Sequence, residues 1–289
     1  MPGGSRVTAE MLDRQRVALA RQLEAMPFAP AALVPLPLAR PLRLPTVPVV
    51  TVGGTTFGGS GKTRLALAVA RELGAVLVGH AHRARPLHAR RVKQTDLLEV
   101  VGDEALVCAR SYEGPVIVAP TRQAAVDLAA TYGRPIVIDG PLQTRPRRAA
   151  LSLLAVDPER PWSGGDQRAS RARLLAATDL VVDVETTLEG IEVLQNTPFG
   201  LFTALARPGR LVRALAAKGL FPRVVASAPD HGGLVQLPEA PIECWLATPK
   251  CAIHLEALGP RMPIVELVDR FVLPESIRQR VVSLLTWAP

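Results

Sequence analysis

From residue 46 onward, short apolar runs alternate with amphipathic segments. "TVPVVTV" (46–52) is a Val-rich run that ends in glycines, and "KTRLALAVARELG" (62–74) follows it with the composition of a helix closed by Gly74. The segments "AVLVG" (75–79), "GPVIVA" (114–119), "RPIVID" (134–139) and "LSLLAV" (151–156) predict further strands. Between several of them lie helical patterns, "GDEALVCARS" and "TRQAAVDLAATYG". Unbroken apolar runs belong to strands covered on both faces, so the alternation predicts an α/β fold with a doubly wound parallel sheet.

A polar, Pro- and Gly-bearing stretch, "DPERPWSGGDQRAS" (157–170), interrupts the series. After it come "TDLVVDV", "ARPGRLVRALAAKGL", "PRVVASAP", "IECWLAT", "CAIHLEALG", "PIVELVD" and a terminal helical pattern, read as a second, smaller α/β domain. The expected organisation is an N-terminal arm (1–45), a core domain (46–157) and a C-terminal domain (158–289). Within the arm, Leu12, Leu19 and Leu23 share one helical face, and an apolar stretch cut by Pro27, Pro30, Pro35, Pro37 and Pro41 follows. Those prolines exclude a continuous spanning helix, whereas an amphipathic helix beside a Pro-rich apolar segment suits a membrane surface or the protein's own body.

Composition narrows the partners. Aromatics make up only 4% of the 289 residues, so the cores are built from Ala, Val and Leu, and base-stacking platforms are too sparse for nucleic acid. The formal charge of +8 comes mainly from arginine and favours anionic surfaces or phosphorylated substrates. Cys108, Cys244 and Cys251 form no CxxC pattern, which fits a reducing compartment without structural zinc. The charged start "MPGGSRVTAEMLDRQR" lacks the apolar core of a secretory signal, and export is not expected.

The candidate chemistry lies between the first strand and the first helix. "FGGSGKT" supplies Gly58, Gly59, Ser60, Gly61, Lys62 and Thr63. In a phosphate loop, glycines turn backbone N–H groups toward the phosphates, Lys reaches the β/γ oxygens and Ser/Thr holds magnesium. The fold class is therefore P-loop NTPase-like, with magnesium expected beside the bound phosphates. Thr56 stands where the usual pattern has its first glycine.

Taken in order, "PVVTVGGTTFGGSGKTRL", "VGDEALVCAR", "VIDGPLQTR", "ARPGRLVRALAAKGL" and "APDHGG" resemble the tetraacyldisaccharide 4'-kinase family of lipid A synthesis. The resemblance extends to "LATPKCAIHL", where Thr248 and Lys250 match a T-E-K-D stretch. It implies an ATP- and magnesium-dependent kinase that phosphorylates the 4'-hydroxyl of a tetraacylated glucosamine disaccharide 1-phosphate. Such an enzyme works as a peripheral protein at the cytoplasmic face of the bacterial inner membrane, with the lipid A disaccharide precursor and the anionic membrane surface as partners. A monomer is expected.

Residue by residue, the resemblance implies that Asp103 activates the acceptor hydroxyl and His231 orients or tunes it, while Lys62 neutralises the transferred phosphoryl group. Asp139 falls at the first acidic position of a D-D-G-[FL]-Q-H-R segment, near magnesium, with Thr63 and Glu104 as further metal candidates. Asp103 capping its helix and His231 as a plain loop residue stay open as alternatives. Gly140 replaces the second Asp, Pro141 the Gly and Thr144 the His, while Gln143 and Arg145 match. Where the family has S-R-G-Y-G, this chain has "GHAHRAR", with His80, His82, Arg83 and Arg85 read as a basic loop for substrate phosphate. These departures keep two rivals open: a divergent P-loop ATPase, and a non-catalytic nucleotide-binding membrane protein derived from the family.

Overall fold

The computed structural model describes residues 42–286 apart from 57, 80, 82–83, 141–148, 160, 163–168, 186–187, 206–207, 230–232, 234 and 268–269. The arm up to residue 41, His80, His82, Arg83, Gln143, Thr144, Arg145 and His231 thus lie outside the described residues. The chain divides into two units, Met1–Val184 with Leu273–Pro289, and Glu185–Val272.

The first unit is built on strands β1 (Val49–Gly54), β2 (Val76–Val78), β3 (Arg90–Arg91), β4 (Val116–Val118), β5 (Ile136–Asp139), β6 (Leu151–Val156) and β7 (Leu180–Asp183). They form one sheet in the order β3-β4-β2-β5-β1-β6-β7. All neighbours run parallel except β3, which pairs antiparallel with β4 at the sheet's edge. The central strands are buried along their whole length, as their unbroken apolar runs require. Each fully buried Val, Ile or Leu here stabilises the fold by about 1.5–3 kcal/mol before entropy is subtracted.

Helices α1 (Lys62–Leu73), α2 (Leu98–Val101), α3 (Asp103–Ser111), α4 (Arg122–Ala130) and α5 (Arg171–Ala176) connect the strands. α1 ends where Gly74 adopts φ 56°, a left-handed conformation that lets its N–H reach Ala70 and Arg71 carbonyls. The hydroxyl of buried Tyr112, just after α3, donates to the main-chain oxygens of Ala70 (3.0 Å) and Ala75 (2.6 Å). α1 and α3, the helices that carry the candidate chemistry, are thereby tied together behind the site.

The expected boundary at residue 157 falls one strand too early. β7 pairs with β6 from Leu153↔Leu180 to Val156↔Asp183 and so belongs to the first sheet. A parallel pair needs a long crossover, and the polar stretch with α5 is that crossover rather than a linker between domains. The terminal helix α8 (Glu275–Val282) also joins the first unit, where Arg278 Nε meets Glu72 Oε2 of α1 at 3.2 Å.

The second unit holds a four-stranded parallel sheet of β8 (Phe199–Thr203), β9 (Val224–Ser227), β10 (Cys244–Ala247) and β11 (Ile264–Glu266), in the order β11-β10-β8-β9. Helices α6 (Pro208–Ala216) and α7 (Pro249–Ala257) connect its strands, and Leu201, Phe202, Leu215 and Leu246 are fully buried. β8 has no counterpart among the expected strands, because Gly200 interrupts its apolar pattern. A Cβ there would lie 2.7 Å from the Trp245 ring, so the missing side chain is what admits the indole. Among the described residues, no helix is long and apolar enough to cross a membrane.

Candidate active site

β1 runs into the loop 55–61 and α1 starts at Lys62, as a phosphate loop requires. Gly59 and Gly61 adopt φ 75° and 80°, conformations that suit glycine and turn the chain tightly before the helix. Gly61 is the N-cap, no side chain caps the helix, and its first turn carries no acidic residue. With no side-chain cap, the N-terminus of this 12-residue helix suits an anion, with the helix dipole in its favour.

The departure at Thr56 has a structural account. Its side chain is buried and its Oγ1 donates to the Gly58 carbonyl at 2.7 Å, so the threonine braces the loop that a glycine would only permit. Packing around the loop is tight. A Cβ on Gly54 would fall 2.0 Å from Ser60 Oγ, and one on Gly61 would fall 2.6 Å from Val184 Cγ1. Gly61→Ala is expected to destabilise the protein by roughly 2–4 kcal/mol, through overpacking and a left-handed backbone together. Urea unfolding of the variant measures this, and an unchanged midpoint would contradict the loop geometry.

Lys62 and Thr63 each find a carboxylate. Lys62 Nζ lies 3.7 Å from Glu104 Oε1, and Thr63 Oγ1 donates to Asp139 Oδ2 at 2.7 Å. Asp139 ends β5, which lies beside β1, so the parallel register delivers its carboxylate to the start of α1. Burial pushes the Asp139 carboxyl above its ordinary range; the Lys62 ammonium pulls it down, Glu104 raises it and the Thr63 hydroxyl lowers it. Its Oδ1 is buried without a hydrogen-bond partner, as are Ser60 Oγ and Thr55 Oγ1.

Those three unpartnered atoms fit a bound cation and phosphate better than an apo protein. A threonine hydroxyl beside a single carboxylate is the donor set of a magnesium ion completed by water and substrate phosphate. Among the described residues, no group of three His, Cys, Asp or Glu side chains is placed to hold a metal ion on protein ligands alone.

Asp103 is the first residue of α3 and is buried; its Oδ1 accepts the N–H of Glu104 at 2.8 Å. Both acidic residues sit in the helix's first turn, where the dipole favours negative charge. The Lys62–Glu104 pair brings that turn against the phosphate loop, so Asp103 lies one residue from the lysine's partner. The N-cap of α3 is Gly102 and no side chain caps it, so Asp103 is a first-turn residue near the loop and not the cap read as an alternative from the sequence. Cys108, one helical turn further on, is fully buried and its thiol is pushed well up, chiefly by burial and then by Asp139 and Glu104. It stays a protonated core residue.

Arg122 was not among the candidates read from the sequence. It opens α4, and its Nη1 donates to the Gly140 carbonyl at 3.0 Å. The strand-end position before "RQAAVDLAA" was the available signal, since a parallel sheet gathers such residues at one edge. Gly140, at φ 84°, leaves open the place of the resemblance's second Asp: a Cβ there would stand 3.7 Å from Lys62 Cε and 3.8 Å from Arg122 Nη2. Thr248, in the second unit, accepts the Cys251 N–H at 3.4 Å as the N-cap of α7.

The sequence pattern of the Tetraacyldisaccharide-1-P 4'-kinase family matches residues 33–182. A tetraacyldisaccharide 4'-kinase from Acidovorax sp. (strain JS42) is 32% identical over 230 residues, 67% of this chain and 67% of that protein. One from Phenylobacterium zucineum (strain HLK1) is 30% identical over 258 residues, 73% of this chain and 78% of the relative. The crystal structure of LpxK from Aquifex aeolicus in complex with ATP shares the fold, with a TM-score of 0.69, 18% identity and 96% of each chain covered. With the phosphate loop, Asp103 and Asp139 arranged on that fold, the chain belongs to the tetraacyldisaccharide 4'-kinase family.

Proposed function

We propose that the chain is an ATP-dependent kinase that transfers phosphate to the 4'-hydroxyl of a tetraacylated glucosamine disaccharide 1-phosphate in lipid A biosynthesis. The observation that carries this reading is the gathering of Lys62, Thr63, Asp103, Glu104 and Asp139 around one helix N-terminus. A nucleotide-binding scaffold has no need for a buried carboxylate beside the loop lysine.

In this reading the main-chain N–H groups of loop 58–63 cradle the nucleotide phosphates. Lys62 exchanges Glu104 for phosphate oxygens and neutralises charge as the γ-phosphoryl moves. Thr63 and Asp139 hold magnesium, which neutralises the phosphates when bound. Asp103 accepts the proton of the acceptor hydroxyl, whose oxygen then bonds to the γ-phosphorus while ADP leaves. His231 assists Asp103, as the family resemblance implies.

Incubation of the purified protein with labelled ATP and a tetraacyl disaccharide 1-phosphate tests the proposal. A lipid product labelled at the 4' position is the expected result, and phosphate released only to water would favour the ATPase alternative. The enzyme acts as a peripheral protein on the cytoplasmic face of the inner membrane, and residues 1–45 are its membrane-associating arm. Their deletion is expected to reduce flotation with liposomes while ATP binding persists. Unchanged flotation would reassign the arm to packing on the protein's own body.

A further inference from the structure

The excursion between β2 and α3 carries two leucines that the fold leaves in solvent. Leu87 is 83% exposed and Leu97 is 68% exposed, although one buried leucine side chain is worth about 1.5–3 kcal/mol to a fold. Two cross-links join the stretches that carry them. The Arg85 N–H donates to the Glu99 carbonyl at 3.1 Å, and Arg90 Nη2 meets Asp96 Oδ1 at 2.6 Å. Leu87 lies on one limb between these two cross-links and Leu97 on the other. The Lys93 N–H donates to Asp96 Oδ2 at 2.8 Å and closes the turn that joins the limbs.

The two limbs hold cations in excess. Arg85, Arg91 and Lys93 are exposed, while Asp96 is engaged by Arg90 and Glu99 is the one exposed carboxylate of the segment 84–101. Charge on an edge strand by itself blocks sheet-to-sheet association, and that accounts for Arg91. It does not account for two leucines presented beside the cations.

The position is also telling. Arg90 pairs with Val118, the last residue of β4, so Leu87 lies toward the edge of the sheet at which the parallel strands end. Asp103 and the phosphate loop open on that same edge.

We infer that this two-limbed segment is an interfacial contact with an anionic lipid bilayer, Leu87 and Leu97 entering the headgroup region and Arg91 and Lys93 facing lipid phosphates. Exposed apolar side chains with an excess of cations along the same segment are the composition of a membrane-surface element, with each cation near the surface contributing roughly fivefold in partition. The inference rests on reading the chain as a kinase of a membrane lipid, because such an enzyme must meet its acceptor at the bilayer. It is separate from the N-terminal arm.

Leu87→Cys in the full chain, labelled with the environment-sensitive fluorophore NBD, tests it, because Cys108, Cys244 and Cys251 are all buried. On phosphatidylglycerol vesicles the emission is expected to shift to the blue, and on phosphatidylcholine vesicles it should not. Arg91→Gln in the labelled protein should lower the partition about fivefold at low salt. An unchanged spectrum on phosphatidylglycerol, or an equal response on both lipids, would overturn the inference. So would a blue shift that grows with protein concentration without vesicles, since it would mark a second copy as the occupant. With detergent-dispersed acceptor, Leu87→Ser/Leu97→Ser should turn over at the wild-type rate while binding phosphatidylglycerol vesicles more weakly. If the wild type is itself inactive in detergent, the kinase reading fails, and the vesicle response still reports the surface.

Discussion

Lys62→Ala is expected to abolish ATP-dependent phosphoryl transfer, with a loss of at least roughly 10³ in turnover. Lys62 is nearly buried, and its ammonium faces Glu104 at 3.7 Å across the mouth of the phosphate loop. Without it the negative charge of Glu104 stays where phosphate must enter and no longer faces the Lys62 ammonium, so the variant loses a stabilising charge and keeps a repelling one. Lys62→Met, which retains most of the stem, should lose as much. The loss then belongs to the charge and not to packing. Thermal unfolding with and without magnesium-ATP gives a readout apart from turnover: nucleotide raises the wild-type midpoint by mass action, and the variant's midpoint should barely move. Wild-type turnover in Lys62→Ala would remove the phosphate-loop assignment.

Much of the first unit was legible in the sequence because its strands are buried on both faces. "VVTVGG", "IVID" and "LSLLAV" have no alternation to confuse with a half-exposed strand, and they became β1, β5 and β6. What the pattern leaves open is membership. "TDLVVDV" reads as a strand in either domain, and only its pairing with β6 assigns it to the first sheet. The terminal helix poses the same problem, since Glu275–Val282 contains nothing that names α1 as its neighbour. At the site, Lys62 and Thr63 follow from the phosphate-loop spacing, while Asp139 was singled out only through the family resemblance; the parallel sheet brings its strand end beside that of β1. Arg122 was not singled out, because it belongs to none of the motifs and only its contact with the Gly140 carbonyl brings it to the site. Thr56 likewise reads as a defect until its hydroxyl is seen to brace Gly58.

Asp103→Asn should lower turnover by roughly 10² to 10⁴, the usual range for a general base, and leave ATP affinity almost unchanged. The asparagine still offers an oxygen to the Glu104 N–H that Asp103 accepts at 2.8 Å, so the start of α3 should persist while proton removal is lost. A role limited to holding the Glu104 N–H would predict little change in turnover, which makes this substitution a test between a structural and a chemical role of Asp103. His231→Ala should cost less by itself. Added to Asp103→Asn it should cost little more, because two residues that move one proton act as a unit and their losses do not multiply. Fully multiplicative losses would separate the pair into independent roles. A loss confined to ATP binding would instead move Asp103 to the metal beside Thr63 and Asp139, leaving the hydroxyl's proton to another group.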